Sequence, residues 1–190
     1  MRGLYVYLLS LSLFIVLAVG CSPQVNNLSD DNKTEDINTV NEVVNVELKI
    51  TSPAFGHNEK IPSKYTCDGD NVNPPLEIEG IPESAKSLVL IVDDPDAPAG
   101  NWDHWIVWNI PLVQDIEEDS IPGEQGMNDF KRQSWGGPCP PSGTHRYFFK
   151  LYALDTKLSL ERTSVKKDVE SAMQEHILSK GELIGLYERE

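Results

Sequence analysis

The sequence Leu88-Val89-Leu90-Ile91-Val92 is an apolar run that has the length of a β-strand and contains no polar residue. A strand that is buried on both faces reads as a continuous apolar run, so this stretch predicts a strand at the centre of a covered sheet. Two further strands are predicted downstream, by Trp105-Ile106-Val107-Trp108-Asn109-Ile110 and by the segment His145–Leu154. These three strands make the predicted domain mainly β.

Weaker elements flank the three strands. Val46-Glu47-Leu48-Lys49-Ile50 alternates apolar and polar residues, which predicts a half-buried strand, and residues 183–187 predict a short final strand. Glycines and prolines punctuate residues 52–82, and residues 113–134 show no clear period. The order of the elements, with strands first and a helix near the end, predicts an antiparallel β-sandwich with a few peripheral helices.

One helix is predicted after the third strand. The apolar residues that define it lie four positions apart, at Val165, Val169, Met173 and Ile177. This spacing places them on one face of a helix. Ser164 is the expected N-cap, and Gly181 is expected to end the helix.

The N-terminus has the layout of a lipoprotein signal peptide. Arg2 precedes an apolar run of 16 uncharged residues, and the run leads through small residues to Cys21. Residues 1–20 are therefore predicted to be a signal peptide, and Cys21 is predicted to carry a lipid that anchors the exported chain to the membrane on its extracytoplasmic side. The alternative is an uncleaved anchor helix, although the run is shorter than the roughly 20 residues of a comfortable span.

Charge and composition separate a tether from a domain. Residues 21–45 are polar, lack aromatic residues and carry a net charge of −4, which predicts a flexible spacer. Arg2 adds one positive charge, so of the formal charge of −14 the predicted domain, residues 46–190, carries −11. An acidic domain repels nucleic acid, which excludes that class of partner. Any anionic ligand must therefore be attracted by hydrogen-bond donors at its own site. The simplest role of the overall negative charge is to keep the domain soluble.

Two cysteines remain besides Cys21. Cys67 and Cys139 form an even pair in a chain that is predicted to be exported, so a disulfide between them is the natural inference. The alternative is two free, half-buried thiols, because separation in sequence says nothing about distance in space.

Polar side chains gather at the ends of the three predicted strands. His145 and Tyr147 share one face of their strand, and His104 is expected to share a face with Ile106 and Trp108. If the two strands are neighbours, both imidazoles line one small cavity. A lone histidine is more often a structural residue, and that role is expected for the two histidines without a supporting motif, His57 and His176.

Several spaced motifs resemble the phosphatidylethanolamine-binding protein family, in its prokaryotic Raf kinase inhibitor-like (YbhB/YbcL) branch. The motifs are Asp94-Pro95-Asp96-Ala97-Pro98, Trp102-x-His104, Gly137-Pro138 and Gly143-x-His145-Arg146-Tyr147. The segments 65–69, 73–75 and 183–187 are also similar to that branch. The resemblance spans residues 48 to 187 and implies a β-sandwich with a small anion pocket.

Carried over residue by residue, the resemblance implies a ligand-binding set of Asp94, Ala97, Pro98, Trp102, His104, Gly137, Pro138, His145 and Tyr147. It also implies a cis peptide bond before Pro98. The chain departs from the eukaryotic pattern, because Asp103 stands where that pattern has a first histidine and the C-terminal helix beside the pocket is lacking. Histidine, tyrosine and backbone N–H groups suit phosphate or carboxylate. An ionised Asp94 would repel a dianion, so it must orient an imidazole, accept a ligand proton or be protonated.

The expected function is capture of a small anionic ligand, or of a phosphorylated or acidic group on a partner protein. An alternative is inhibition of a protease or kinase, and a weaker one is a metal site built from two histidines and an aspartate. Catalysis is not expected, because Ser142 lacks a positioned base and Cys139 would react only as a free, activated thiol. No cofactor is expected, and the sequence leaves the oligomeric state open.

Overall fold

The computed structural model describes residues 47–190. The predicted signal peptide, the lipidated Cys21 and the tether therefore lie outside the described residues. Among the helices of residues 47–190, none has the length and apolar character needed to span a bilayer.

Most of the regular elements in the described chain are strands, and they are joined by long loops, one short helix and two 3₁₀ turns (Ser63–Tyr65 and Gln174–His176). The strands are β1 (Lys49–Thr51), β2 (Glu59–Lys60), β3 (Leu76–Glu79), β4 (Ser87–Asp94), β5 (Trp102–Ile110), β6 (Asp115–Ile116), β7 (Glu124–Gln125), β8 (His145–Leu154) and β9 (Ile177–Tyr187). The helix α1 spans Lys166–Met173. The three strands with the strongest sequence signals are β4, β5 and β8.

The strands form two sheets. The smaller sheet has the order β1-β3-β6, and the larger has the order β2-β9-β8-β4-β5-β7. Neighbouring strands are antiparallel except for β2 and β9, which run parallel over two residue pairs. The predicted sandwich is confirmed, with one parallel pair at an edge of the larger sheet. Such a pairing needs a long connection, and most of the domain separates β2 from β9 in sequence.

The strand β4 is buried on both faces, as its continuous apolar run predicts. Its residues that face the smaller sheet belong to the main core and are Leu88, Leu90 and Val92. Val89 and Ile91 belong to a second apolar cluster, to which α1 contributes Val169 and Met173. Every residue of β4 is buried, so this strand fixes the position of the polar residues at its C-terminal end.

The predicted helix is wrong at both ends. Val165, and not Ser164, is the N-cap, and its N–H donates to Asp168 Oδ2 at 2.9 Å. The helix ends at Met173, and after the second 3₁₀ turn the chain enters β9 at Ile177, six residues before the predicted final strand. Pairing of β9 with β8 runs from Ile177 to Tyr187, and this long ladder overrides the local four-residue spacing.

Gly181 has a different role from the predicted helix stop. It lies within β9, where the backbone just before β1 approaches closely, and a Cβ atom there would sit 2.5 Å from the carbonyl oxygen of Leu48. Only glycine allows this approach. The first strand also begins later than predicted, at Lys49, although Leu48 and Ile50 are buried as the alternation requires.

Candidate functional site

A cavity of about 250 Å³ lies where the polar ends of β4, β5 and β8 meet. Its lining residues are Asp94, Ala97, Pro98, Ala99, Trp102, His104, Phe130, Cys139, Pro140, Pro141, His145 and Tyr147. The structure therefore brings together seven of the nine residues expected from the motifs. The walls are proline, alanine and aromatic rings, and the polar groups are two imidazoles, one carboxylate and one phenol.

Gly137 and Pro138, the other two expected residues, do not line the cavity. Gly137 donates its N–H to Asn71 Oδ1 at 2.8 Å, and a Cβ atom there would lie 2.5 Å from the backbone oxygen of Tyr65. The carbonyl of Pro138 accepts the Cys67 N–H at 3.1 Å. These two residues hold the cavity wall against the neighbouring loop. The expected cis bond before Pro98 is also wrong, because the described residues contain no cis peptide bond.

The position of His104 depends on a β-bulge. Val92 pairs with Trp105 and Asp93 pairs with Asp103, so His104 is an extra residue between two consecutive pairs of β4 and β5. A bulge bends its strand and redirects the side chain at the extra position. The carbonyl of His104 accepts a hydrogen bond from the Asn128 side chain at 2.9 Å, which fixes the bulge.

The bulge explains why the face predicted for His104 is wrong. Ile106 and Trp108 lie in the apolar cluster under α1. The ring of His104 packs instead edge-on against Tyr147 of the main core, with ring centroids 5.2 Å apart, and against Phe130 at 5.3 Å. The strands β5 and β8 are also not neighbours, since β4 lies between them. Both imidazoles still reach one cavity.

His145 and Asp94 form a buried pair at the cavity. His145 Nδ1 donates to Asp94 Oδ2 at 2.7 Å, and the two side chains are only 7% and 4% exposed. The other carboxylate oxygen accepts the backbone N–H of Asp96 at 2.8 Å. Asp94 therefore orients the imidazole and fixes its Nδ1–H, which leaves Nε2 as the ring atom available to a ligand.

The turn after β4 is tied to β8 by an ion pair. Arg146 Nη2 and Nε donate to the two carboxylate oxygens of Asp96 at 2.7 and 2.8 Å, and the Arg146 backbone N–H donates to Oδ2 at 3.0 Å. The guanidinium lowers the pKa of Asp96 to about 2. Because Asp96 follows Asp94 and Arg146 follows His145, this contact keeps the buried pair in register.

Tyr147 presents an unsatisfied hydroxyl. The residue is fully buried, and within residues 47–190 its hydroxyl proton has no acceptor, although the backbone N–H of Cys139 approaches the hydroxyl oxygen and acts to lower its pKa. Burial, with the nearby Asp94 charge, raises the pKa of Tyr147, so the group keeps its proton. A buried polar group without a partner costs about 1–3 kcal/mol. A ligand that accepts this hydrogen bond would recover part of that cost.

Near neutral pH His104 offers the cavity a hydrogen-bond acceptor, whereas Tyr147 offers a donor. Its Nδ1 bonds to the carbonyl of Gly136, which can only accept, so Nδ1 carries the proton. Burial lowers the pKa of His104, against the raising influence of the Gly136 bond and of Asp94. The ring is therefore neutral near pH 7, and Nε2 is an acceptor.

The lowered pKa of His104 predicts how stability changes with pH. As pH falls below about 6.5, the unfolded chain binds a proton at this residue that the folded chain does not. The free energy of unfolding should therefore keep its full contribution from His104 above pH 6.5 or so and lose it progressively in acid. The slope from one such residue is at most about 1.4 kcal/mol per pH unit.

Urea denaturation across the range between neutral and acid pH measures this slope. The His104→Gln variant, whatever its overall stability, should lose less stability on acidification than the wild type. His57→Gln, which changes an exposed histidine outside the cavity, is the matched control and should keep the wild-type slope. An identical pH dependence in His104→Gln and the wild type would contradict the assignment of a buried neutral ring.

A disulfide closes one wall of the cavity. In the structure Cys67 and Cys139 are bonded, with Cα atoms 5.4 Å apart. Cys139 lines the cavity together with Pro140 and Pro141, which follow it. The disulfide joins this wall to the neighbouring loop that carries Cys67, and Gly137 packs against the same loop.

Several lining residues were missed by sequence reasoning. Pro140, Pro141 and Ala99 directly adjoin recognised motifs, so proximity in sequence was an available signal. Phe130 lies in the stretch without a clear period, between β7 and β8, and no pattern in the sequence marks it.

The geometry does not support the metal site that the sequence left as an alternative. Within the described chain, no three histidine, cysteine, aspartate or glutamate side chains are grouped so that they could hold a metal ion. His176 pairs with Asp155 at 2.8 Å, and His57 Nδ1 accepts the Ile184 N–H at 3.3 Å. Neither of these histidines lines the cavity.

Comparison with known proteins gives consistent matches. The family profile described as phosphatidylethanolamine-binding protein matches residues 51–188. A UPF0098 protein of Pyrococcus abyssi is 49% identical over 96% of this chain and 98% of its own length. A UPF0098 protein of Pyrococcus horikoshii is 54% identical over 76% of this chain and 78% of its own.

Two solved structures are similar to this fold. One is a phosphatidylethanolamine-binding protein homologue from Chlamydia trachomatis, with a TM-score of 0.74 and 41% identity, covering 76% of this chain and 99% of that one. The other is YbcL of E. coli, described as a member of the mammalian PEBP family, with a TM-score of 0.70 and 32% identity over the same shares.

Proposed function

This chain belongs to the phosphatidylethanolamine-binding protein family, and on that premise we propose that it is a binding protein whose cavity takes a small acidic group. The group is a phosphate or carboxylate, carried by a small molecule or by a side chain of a partner protein. The cavity holds about 250 Å³, which suits a head group and not a whole lipid or peptide.

The observation that carries this proposal is the unsatisfied hydroxyl of Tyr147 at the cavity. Beside it stands His145, whose Nδ1 is committed to Asp94 and whose Nε2 remains for a ligand. The Tyr147 hydroxyl can then donate to an acidic group, and Nε2 of His145 can form a second hydrogen bond with the same group. The proline and aromatic walls limit water at the site, which strengthens each of these hydrogen bonds.

The charges at the cavity favour a monoanion over a dianion. None of the described residues that line it is a lysine or an arginine, and Asp94 contributes a carboxylate. A fully ionised phosphate would meet this carboxylate without a compensating cation. A phosphate that retains enough protons to be a monoanion has a hydroxyl that can donate to the neutral Nε2 of His104, and a carboxylate carries only one charge. Both fit the mixture of donors and acceptors.

Replacing Tyr147 with phenylalanine tests the proposal. Without ligand, the variant should be as stable as the wild type or more stable by up to about 1 kcal/mol, because an unpaired buried hydroxyl is removed. Its affinity for inorganic phosphate should fall about 10-fold, the lower end of the range for one hydrogen bond to a charged group. Thermal denaturation and calorimetric titration measure the two effects.

The two readouts together separate function from structure. Tyr152→Phe removes a hydroxyl from the same strand outside the cavity, and it should leave phosphate affinity unchanged. If Tyr147→Phe binds phosphate as tightly as the wild type, the hydroxyl has no part in ligand binding and the proposal loses its main support.

We further propose that the domain works at a membrane surface, anchored by a lipid on Cys21. This part rests on the sequence of residues 1–21 alone, because they lie outside the described structure. A diacyl-type anchor buries more than one chain, which is enough for stable attachment. Cys21→Ser should abolish lipid attachment and change electrophoretic mobility in its native host. A variant that stays in the membrane fraction, fully processed and unchanged in mobility, would show that the assignment is wrong.

A further inference from the structure

A second cavity, of about 520 Å³, lies between the loop around residues 119–121 and the loop around residues 132–135. Two arginines line it, Arg132 and Arg162, together with Ile121 and Trp135. We call it the arginine cleft. None of these four residues lines the cavity of the proposed function.

The two guanidinium groups of the arginine cleft are unpaired. Within residues 47–190, neither Arg132 nor Arg162 forms an ion pair or donates a side-chain hydrogen bond, whereas Arg146 and Arg189 each bind an aspartate through two guanidinium nitrogens. In a domain with a net charge of −11, two arginines and one aspartate give the lining of this cleft a net charge of +1, which reverses the sign of the charge locally. Such a reversal attracts acidic groups that the rest of the surface repels.

The arginine cleft also carries exposed apolar surface. Ile121 is 74% exposed, more than any other large apolar side chain among the described residues. Trp135 contributes a mostly buried indole, and its Nε1–H is already used by the carbonyl of Tyr65 at 3.2 Å. Tryptophan and arginine are enriched at the energetic centres of protein interfaces. The lining therefore suits a partner that has an apolar group beside its negative charges.

Hydrogen bonds hold the walls of the arginine cleft in place. Gln133 Nε2 donates to the carbonyl of Arg162 at 2.8 Å, which joins the two segments that carry arginines. The backbone N–H of Arg132 donates to Asn128 Oδ1 at 2.9 Å. Across the cleft, the N–H of Ser120 donates to the side chain of Asn73 at 2.9 Å. A site that is ordered before binding loses less entropy when a ligand arrives.

We propose that the arginine cleft recognises an acidic peptide segment of a partner protein, with an aliphatic residue beside its carboxylates. Asp119 also lines the cleft, so a compact polyanion would meet repulsion. An extended peptide spreads its charge: carboxylates reach Arg132 and Arg162, and a backbone N–H reaches Asp119. A second copy of the chain is a poor occupant, because each domain carries −11.

The arginine cleft and the first cavity share a wall. Trp135 lines the cleft, and the carbonyl of the next residue, Gly136, accepts the hydrogen bond from His104. Asn128 likewise supports both sites, through Arg132 and through the carbonyl of His104. Peptide binding to the arginine cleft nevertheless does not depend on the polar groups of the proposed anion pocket, since it needs neither His145 nor Tyr147.

Selection from a display library of random 12-residue peptides on the immobilised full chain tests the proposal. Three variants are selected in parallel: the double variant Arg132→Gln with Arg162→Gln, the charge-matched control Lys86→Gln with Lys157→Gln, and the pocket variant His145→Asn. Both control lysines are exposed and lie outside the two cavities. Individual selected peptides are then measured by fluorescence anisotropy.

The expected result is enrichment of peptides that combine two or more acidic residues with an aliphatic one. Their affinity should fall at least 10-fold in the double arginine variant and stay within 2-fold in the lysine control and in His145→Asn. Ile121→Ser should weaken the same peptides. Enrichment that is equal on wild type and double arginine variant, or that is lost only with His145→Asn, would overturn the proposal. The proposal would also be wrong if no acidic sequence were enriched. That result includes the case in which the acidic residues 22–45 of the same chain occupy the cleft and keep other peptides out.

Discussion

Replacing both Cys67 and Cys139 with serine should lower the free energy of unfolding by up to about 4 kcal/mol. The cysteines are 72 residues apart in sequence, and a crosslink over a loop of this length removes substantial entropy from the unfolded chain in the chain-entropy model. The same change should weaken phosphate binding, because the wall formed by Cys139, Pro140 and Pro141 loses its attachment to the neighbouring loop. Urea denaturation and calorimetry measure the two losses.

The reduced wild type is the internal control for this prediction. Its free energy of unfolding in a reducing buffer should approach that of the double serine variant, since both lack the crosslink. Alkylation of the folded, unreduced protein should modify neither Cys67 nor Cys139. If both thiols are alkylated under these conditions, or if reduction leaves stability unchanged, the disulfide does not hold this wall.

The second large effect is expected at His145. Asparagine at this position places its amide nitrogen where Nδ1 lies, so the bond to Asp94 can persist while the Nε2 atom is lost. A hydrogen bond to a charged group contributes about 1.5–3 kcal/mol, so affinity for inorganic phosphate should fall about 10- to 100-fold. Stability should change much less than affinity. Calorimetric titration beside thermal denaturation checks both statements.

The domain offers a matched control for this substitution. His176 forms the same kind of pair with Asp155, at 2.8 Å, but both side chains are nearly half exposed and neither lines a cavity of the site. His176→Asn should leave phosphate affinity unchanged. A comparable loss in both variants would mean that the effect does not depend on the position of His145 at the cavity.

The strands that build the site could be predicted because their signals are local. The apolar run of β4 predicts a strand that is buried on both faces. In the structure one face packs in the sandwich core and the other packs under α1. His145 and Tyr147 share a face of β8 by the period of two, and both line the cavity. For these residues the side-chain pattern alone decided the outcome.

The features that sequence reasoning missed depend on partners that are distant in the chain. The bulge at His104 exists because β4 and β5 shift register, and no local pattern encodes that shift. The helix ends at Met173 because β9 pairs along β8, which overrides the spacing that placed Ile177 on a helix. The motif Gly137-Pro138 was recognised but its role was not, because the loop against which it packs becomes visible only in three dimensions.

The most direct test of the anion pocket is a side-chain ¹H–¹⁵N NMR titration of the four histidines with inorganic phosphate near pH 6. We expect saturable shifts of the imidazole nitrogens of His145, strongest at Nε2, and of His104, with one common dissociation constant. His57 and His176, which lie outside the cavity, should show no saturable shift. If all four histidines shift weakly and without saturation, or if only His57 and His176 respond, the cavity does not bind the anion and the proposed function is wrong.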